Sequence, residues 1–315
     1  MSDPTDAYLF PGQGSQTPGM GKELAGASPA AREVFEEVDE ALSQKLSALM
    51  FEGPADELTL TANAQPAIMA HSMAVLRVLQ KEGGLTMSAA ANFVAGHSLG
   101  EYSALCAAGS LSLTETARLL RIRGDAMQAA VPVGEGAMAA LLGLSYEDAV
   151  AAAADGAGDD VCVVANDNAP GQVVISGNAD AVDRAIEAAK ARGAKRGMKL
   201  PVSAPFHSPL MQPAADRMAS ALAEAGLDTP TVPIVANVTA EAETAPDRLK
   251  SLLVEQVTGT VRWRESVEYM GRNDSARMIE IGAKVLGPMV KRINVDAEPI
   301  SLVTMADIEA FAKTI

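Results

Sequence analysis

Short apolar segments alternate with longer amphipathic segments along this chain, and this alternation restricts its fold more than any other feature. Residues 8–10 (YLF) and 93–95 (FVA) have the length and apolarity of buried strands. Residues 29–42 and 65–79 have helical spacing, and Ser28 precedes the first of these helices as an N-cap followed by proline. Ser112 and Glu115 have the spacing of a capping box at the start of another helix. Strands that alternate with helices predict an α/β fold.

The middle of the chain has an alternation of its own. Strands are predicted at residues 137–143, 161–165, 172–176 and 195–200, and helices at residues 146–154 and 179–192. This β-α-β-β-α-β order is that of a ferredoxin-like unit. We therefore predict a small ferredoxin-like domain over residues 134–201, inserted in a larger α/β domain of residues 1–133 and 202–315. The alternation resumes in the second part of the larger domain, with strands at residues 234–237 and 278–281.

The charge balance excludes several classes of partner. Lys and Arg number 25 against 40 Asp and Glu, so the net charge of −15 opposes binding to nucleic-acid backbones or anionic membranes. Aromatic residues are 3% of the chain, too few for a base-stacking surface. We predict neither a nucleic-acid nor a membrane partner.

The chain also lacks the marks of export. Its first residues have neither the basic nor the apolar region of a signal peptide, and its apolar stretches are too short to span a bilayer. The two cysteines, Cys106 and Cys162, have no metal-site or disulfide spacing and are predicted to be buried and inert. These features predict a cytoplasmic protein without a metal site.

A G-x-S-x-G sequence, Gly96-His97-Ser98-Leu99-Gly100, lies between a predicted strand and a predicted helix. This is the context of a nucleophile elbow, where the tight turn exposes the serine hydroxyl above the sheet. The following helix N-terminus directs N–H groups to the place where a negative oxygen develops. The pattern predicts that Ser98 is a nucleophile and that the large domain is α/β-hydrolase-like, the alternative being a plain turn.

A serine needs a base, and the chain has three histidines. His71 lies among apolar residues of a predicted helix, which favours packing. His97 is adjacent to Ser98 and suits a pocket wall. His207 lies downstream on a proline-bracketed loop, and serine before histidine is the chain order of elbow enzymes. His207 is the favoured base, with a structural loop histidine as the alternative.

Five motifs in order resemble the malonyl-CoA:acyl carrier protein transacylases, acyltransferases that load malonyl groups for fatty-acid synthesis. They are residues 10–16 (FPGQGSQ), 96–105 (GHSLGEYSAL), 121–124 with 127–128 (RIRG and MQ), 165–168 (ANDN) and 202–207 (VSAPFH). The likeness extends from about residue 7 to about residue 300. Several motifs in the same order make it more specific than any one of them.

The resemblance implies roles for individual residues. Ser98 attacks the thioester carbonyl, and His207 is general base and later general acid. The main-chain N–H groups of Gln13 and Leu99 hold the oxyanion, and the main-chain carbonyl of Gln256 orients the histidine. On the residues alone, Gln13 stays open as a turn residue and Gln256 as a solvated residue at a helix end.

Arg123 is the residue that the resemblance assigns to the substrate. A malonyl group carries a free carboxylate, which a guanidinium can bind through two parallel hydrogen bonds. Gln65, Asn166 and His97 are further substrate-pocket residues. Without the resemblance, Arg123 is equally open as a surface arginine of a charged helix, as Arg118 is expected to be.

The implied reaction is a ping-pong transfer of malonyl from coenzyme A to the phosphopantetheine thiol of acyl carrier protein, through a seryl ester. No metal or redox cofactor is expected, and the chain is expected to be a monomer. Lys195, Arg196 and Lys199 are predicted to contact the carrier, with a solvated charged strand as the alternative. Phe206 beside the histidine favours malonyl over the branched methylmalonyl group.

One segment departs from the family pattern. Residues 280–286 (EIGAKVL) resemble a late motif but are one residue short, which predicts an altered pocket edge near Ala283 and Val285. Two other functions stay open at this point. One is a serine thioesterase or esterase with the same Ser98 and His207, and the other is a non-catalytic module that binds the carrier.

Overall fold

The computed structural model describes residues 6–202, 204–293 and 295–315; Ser203 of the 202–207 motif lies outside them. The strands are β1 (Asp6–Phe10), β2 (Ala91–Gly96), β3 (Gly136–Leu142), β4 (Cys162–Ala169), β5 (Gln172–Asn178), β6 (Arg196–Lys199), β7 (Ile234–Val235), β8 (Ala242–Glu243), β9 (Arg277–Ile281) and β10 (Glu298–Leu302). The predicted α/β fold is confirmed.

The helices lie between these strands. They are α1 (Lys22–Ala27), α2 (Pro29–Leu42), α3 (Leu46–Glu52), α4 (Ala55–Thr59), α5 (Thr61–Lys81), α6 (Met87–Ala90), α7 (Gly100–Ala107), α8 (Leu113–Ala129), α9 (Tyr146–Ala157), α10 (Ala179–Ala191), α11 (Gln212–Glu224), α12 (Pro246–Thr258), α13 (Trp263–Arg272), α14 (Leu286–Ile293) and α15 (Met305–Ala312). A short 3-10 turn, Pro209–Met211, precedes α11.

The larger sheet has the strand order β10-β9-β1-β2-β7-β8, and β8 alone of these runs antiparallel to its neighbour. Every residue of β1 is buried. Tyr8 and Phe10 pack into the core on one face of the sheet, and Ala7 and Leu9 pack into a second core on the other. Helices therefore cover both faces, which explains why β1 is apolar without alternation.

The smaller sheet is antiparallel, with the order β4-β5-β3-β6. Helices α9 and α10 pack on it through alanines and aliphatic residues, which form a separate core. The β-α-β-β-α-β order of elements over residues 136–199 is the one that the sequence predicts. Strand β6 is an edge strand of this sheet.

Three local predictions differ from the structure. Helix α5 begins at Thr61 rather than near Gln65. Strand β7 ends at Val235, two residues early, because the main chain turns and Ala236 N–H donates to the Glu241 carbonyl. Ser112 caps α8 but forms no complete capping box, since the Glu115 carboxylate accepts from the Gly226 N–H instead.

Both thiols are free, and burial raises the pKa of Cys106 and of Cys162 to about 11, which suits the inert role predicted for them. None of the helices in the described ranges combines the length and apolarity that crossing a bilayer requires.

Candidate active site

Ser98 occupies a strained turn between β2 and α7. Its φ of 54° lies in the left-handed region, which a serine adopts rarely. A Cβ on Gly96 would lie 1.9 Å from the Gly100 carbonyl, and one on Gly100 would lie 2.3 Å from the Phe10 carbonyl oxygen. Both flanking positions therefore exclude any side chain. The strand, tight turn and helix of a nucleophile elbow are all present.

His207 faces Ser98 across the site. Its Nε2 lies 2.8 Å from Ser98 Oγ, and its Nδ1 lies 2.8 Å from the main-chain oxygen of Gln256. A carbonyl can only accept, so Nδ1 carries the proton and Nε2 is free to accept one from the serine. Burial, followed by the positive charge of Arg123, lowers the pKa of His207 to about 3, so the imidazole is neutral at physiological pH.

Arg123 is buried, with 1% of its surface exposed, and its guanidinium points at Ser98. Nη2 donates to Ser98 Oγ at 3.1 Å and to Gln256 Oε1 at 2.8 Å, and Nη1 donates to Gln65 Oε1 at 2.8 Å. All three acceptors are neutral. Burial lowers the pKa of Arg123 from its usual value, but a guanidinium stays charged. The surface alternative fits Arg118, which is exposed, and not Arg123.

A cavity of about 270 Å³ opens above the nucleophile. The predicted site residues on its wall are Gln13, Gln65, His97, Ser98, Leu99, Arg123, Asn166 and His207. Gln256 is fully buried behind them, so its alternative as a solvated residue is excluded. Within the described part of the chain, the main-chain N–H groups of Gln13 and Leu99 have no acceptor.

His97 is fixed by contacts outside the cavity. Its Nε2 lies 2.8 Å from Asn168 Oδ1, and its ring lies 5.6 Å, centroid to centroid, from that of Trp263. Burial lowers its pKa, so this imidazole is neutral as well. His97 forms a wall of the cavity, as the sequence predicts, and His71 is a buried residue of α5.

The shortened 280–286 segment lies apart from Ser98. Ala283 and Val285 line a second depression of about 500 Å³, which contains neither Ser98 nor His207. This depression adjoins the cavity above Ser98, because Gly14 and Gln16 line both of them. That Val285 edges the substrate pocket stays a prediction. Glu280 explains the local structure, because its carboxylate accepts from the N–H groups of Val285, Leu286 and Gly287 and so caps α14.

Residues 7–298 match the family model described as an acyl transferase domain. A malonyl CoA-acyl carrier protein transacylase of Bacillus subtilis (strain 168) is 47% identical over 312 residues, covering 98% of this chain and 96% of that protein. The chain belongs to the malonyl CoA-acyl carrier protein transacylase family.

Solved structures in this transacylase family share the whole fold. The crystal structure of an acyl-carrier-protein-S-malonyltransferase from Bartonella henselae is 57% identical, with a TM-score of 0.96 over 98% of this chain and 99% of that one. A malonyl-transacylase in complex with its type II PKS acyl-carrier protein is 40% identical, with a TM-score of 0.94 and the same coverage. Similarity at this level covers both sheets and the cavity between them.

Two buried polar residues of this transacylase-family chain escaped the sequence analysis. Asn237 Oδ1 accepts from the Ser98 N–H at 2.8 Å, and its amide donates to the Gly96 carbonyl at 2.7 Å, so it braces the elbow. Glu101 accepts from the side chain of Gln256 at 2.8 Å. The available signal was a polar residue just beyond the end of a buried strand, since ligand sites lie at the carboxyl ends of such strands. Asn237 lies two residues after the end of β7 at Val235.

Proposed function

We propose that this protein transfers a malonyl group from coenzyme A to the phosphopantetheine thiol of acyl carrier protein, through an ester on Ser98. The observation that carries the proposal is the buried guanidinium of Arg123, 3.1 Å from a serine hydroxyl that is itself 2.8 Å from an imidazole. An ordinary esterase has no use for a buried cation beside its nucleophile, whereas a substrate with a free carboxylate does.

In the first half-reaction, the Ser98 hydroxyl attacks the thioester carbonyl of malonyl-CoA. Its proton passes to His207 Nε2, an Oγ–C bond forms, and the carbonyl oxygen gains negative charge. The N–H groups of Gln13 and Leu99 are free to stabilise that charge. The C–S bond then breaks, and His207 returns the proton to the departing coenzyme A sulfur.

The second half-reaction is the reverse, with a different thiol. His207 Nε2 removes the proton of the carrier's phosphopantetheine thiol, and the sulfur attacks the seryl ester. The C–Oγ bond breaks, and the proton goes back to Ser98. Arg123 holds the malonyl carboxylate through both halves, assisted by Gln65 on its other side. These steps need only the serine, the imidazole and the guanidinium, so we propose that no cofactor takes part.

The main-chain carbonyl of Gln256 replaces the carboxylate of a serine-protease triad. It fixes the imidazole tautomer as a carboxylate does, but it stabilises the imidazolium less because it is neutral. The thiol ester of coenzyme A is an activated substrate, so a weaker base suits this transfer. The cytoplasmic location and the monomeric state stay predictions of the sequence.

The finer description of the fold also belongs to this proposal. We take residues 134–201 as a ferredoxin-like small domain, supported by the strand order β4-β5-β3-β6 with α9 and α10 packed on the sheet. Residues 1–133 and 202–315 form the α/β-hydrolase-like catalytic domain, supported by the elbow that follows β2. The small domain contributes Asn166 and Met138 to the cavity wall.

Intact-mass spectrometry after incubation with malonyl-CoA tests the proposal. We expect the native chain to gain one malonyl group and to lose it when holo acyl carrier protein is added, with malonyl-carrier as product. Ser98→Ala should gain nothing. Release of free malonate instead of malonyl-carrier would indicate a thioesterase, and absence of any adduct would indicate a module that only binds the carrier.

A further inference from the structure

Glu101 is a buried carboxylate for which the proposed reaction has no role. It is the second residue of α7 and only 1% exposed. We infer that Glu101 is a positioning residue: it holds the side-chain amide of Gln256 with its oxygen toward Arg123 and so aims the guanidinium at the acyl carboxylate. This inference rests on the proposed function and assigns a further residue to its substrate selectivity.

The amide of Gln256 is held between two groups of opposite hydrogen-bonding character. Its Nε2 donates to Glu101 Oε2 at 2.8 Å and to the Ser98 carbonyl at 3.0 Å, and its Oε1 accepts from Arg123 Nη2 at 2.8 Å. A guanidinium can only donate, and Glu101 Oε2 acts here as an acceptor. Only one orientation of the amide satisfies both neighbours. Nε2 also has Asn237 Oδ1 as an acceptor, at 3.2 Å, so removing Glu101 takes away the shortest of its three contacts and weakens the hold on that orientation.

Glu101 is linked to the rest of the site by hydrogen bonds to two neutral residues, Asn237 and Gln256. Its Oε2 also accepts from the Asn237 N–H at 3.1 Å, and Asn237 in turn accepts from the Ser98 N–H. Gln256 presents its main-chain oxygen to His207 as well as its side-chain oxygen to Arg123. A change at Glu101 therefore affects Arg123 through the side chain of Gln256, and it affects the turn at Ser98 through Asn237. Only the first of these routes distinguishes a substrate with a carboxylate from one without.

The charge of Glu101 is not what this role requires. Burial raises the pKa of Glu101 to about 7, against the opposing effect of hydrogen bonds from Gln256 and Asn237, so the carboxyl is partly protonated at neutral pH. Oε1 has no hydrogen-bond partner among the described atoms. A proton on Oε1 leaves Oε2 as an acceptor, and the contact with Gln256 is the same in both states.

The test compares kcat/KM for malonyl-CoA with kcat/KM for acetyl-CoA, which lacks the carboxylate that Arg123 would bind. Glu101→Leu removes the acceptor at similar volume. We expect its malonyl-to-acetyl ratio to fall by about tenfold or more. A misplaced guanidinium weakens the contact with the carboxylate of malonyl-CoA, and acetyl-CoA has no such contact to lose. Glu101→Gln can still offer an oxygen to Gln256 and Asn237, and its ratio should stay within about threefold of the native value.

Glu280→Leu is the matched control, because Glu280 is also a fully buried carboxylate but caps α14 outside the cavity. It should lose stability and keep the ratio. If Glu101→Leu does not fold, Glu101→Asp replaces it, since the shorter carboxylate withdraws the acceptor from Gln256 and should lower the ratio in the same direction.

Gln256→Met completes the experiment, because it removes the side-chain amide and keeps the main-chain carbonyl that faces His207. Its ratio should fall as that of Glu101→Leu does, and the double variant should fall no further. Equal losses for malonyl-CoA and acetyl-CoA in Glu101→Leu, or a Glu101→Gln variant as impaired as Glu101→Leu, would overturn the inference. A native chain that forms no malonyl ester would overturn the proposed function instead.

Discussion

At the scale of single residues, Arg123 has the most unusual environment in the described chain. A fully buried cation normally pairs with an anion, yet its direct hydrogen-bond acceptors are a serine and two glutamine side chains. A site of this kind is built for a charge that arrives with the substrate, because the incoming carboxylate repays the desolvation of the guanidinium.

Removal of the guanidinium should therefore affect charged substrates selectively. We expect Arg123→Ala to lower kcat/KM for malonyl-CoA about 100-fold, in keeping with about 3 kcal/mol for a buried charge-assisted contact. The value for acetyl-CoA should change far less. Arg118→Ala, on the exposed face of the same helix, is the control and should leave both values unchanged; a malonyl preference that survives in Arg123→Ala would contradict the assignment.

The lowered pKa of His207 leads to a separate prediction about how the rate depends on pH. The pKa of His207 is lowered to about 3, and a base must be unprotonated to act, so the active form persists as the pH falls. We expect the single-turnover rate of Ser98 acylation to stay level from pH 8 to pH 5, where an imidazole with the usual pKa of about 6.5 would lose more than about tenfold. A loss centred near pH 6.5 in the native chain would show that the burial is incomplete.

At the scale of elements, the approach of α8 to α5 sets the position of Arg123. Gly124 follows the arginine, and a Cβ there would lie 2.7 Å from the Ala62 Cα and 2.8 Å from the Thr61 carbonyl oxygen. Both are main-chain atoms, which cannot move aside as a side chain could. The glycine allows α8 to lie close enough to α5 for Arg123 to reach Gln65.

Gly124→Ala should accordingly separate the two helices. Overpacking of this kind costs about 1–3 kcal/mol, so we expect a lower Tm together with a reduced malonyl-to-acetyl ratio. Gly26→Ala is the control, because a Cβ at Gly26 meets nothing within 4 Å and alanine favours the helix. Thermal unfolding and steady-state kinetics measure the two effects, and an unchanged ratio in Gly124→Ala would mean that α8 carries Arg123 without help from this contact.

At the scale of the whole molecule, the smaller sheet is joined beside the cavity to the segment that precedes α13. Strand β4 is an edge strand of its sheet, and its edge away from β5 pairs with the segment before α13. There Asp167 N–H donates to the Val261 carbonyl at 3.0 Å, and Val261 N–H donates to the Ala165 carbonyl at 2.8 Å. Arg264 on α13 adds an ion pair of 2.8 Å to the buried Asp167. These contacts hold Asn166, which lies between Ala165 and Asp167, at the cavity wall.

The surface near the cavity mouth carries the predicted carrier contacts. Lys195, Arg196 and Lys199 are exposed at or beside the edge strand β6, and the chain that follows them, at Pro201, lines the cavity. Lys199 is paired with Asp183 at 2.7 Å, which leaves the other two cations as the better candidates. Charged residues on an edge strand also discourage edge-to-edge pairing, so the contact with the carrier needs its own test.

Charge reversal at Lys195 and Arg196 together should raise the KM for acyl carrier protein by about tenfold at low salt, and the effect should shrink as ionic strength rises. The same reversal at Lys291 and Arg292, exposed on α14, changes the net charge equally and should leave that KM unaltered. Steady-state kinetics with varied carrier concentration decide the matter. An unchanged KM in the Lys195 and Arg196 variant would show that these cations do not contact the carrier. Their role would then be to discourage edge-to-edge pairing at β6.

The sequence by itself determined the elements, the elbow and the family. Strands β1, β2 and β9, the start of α2 at Pro29 and the order of elements over residues 136–199 follow from apolar spacing and caps, which are short-range properties. The G-x-S-x-G turn is local in its residue types and spacing, and Gly96 is required by a contact with Gly100 within the turn. Gly100 is required by a contact with Phe10 of the neighbouring strand β1, which the motif alone does not show. The motif order then indicated which serine, histidine and arginine belong together.

Only the tertiary structure decided which polar side chains meet. Ser98 and His207 are 109 residues apart, and Arg123 and Gln256 are 133 residues apart, so no local pattern indicates their contact. The same holds for Glu101, whose place in the first turn of a helix predicts no more than a favourable charge there. Burial and hydrogen-bond partners arise from the packing of distant helices against the sheet. They separated Arg123 from its exposed neighbour Arg118 and brought the side chain of Gln256 beneath the nucleophile.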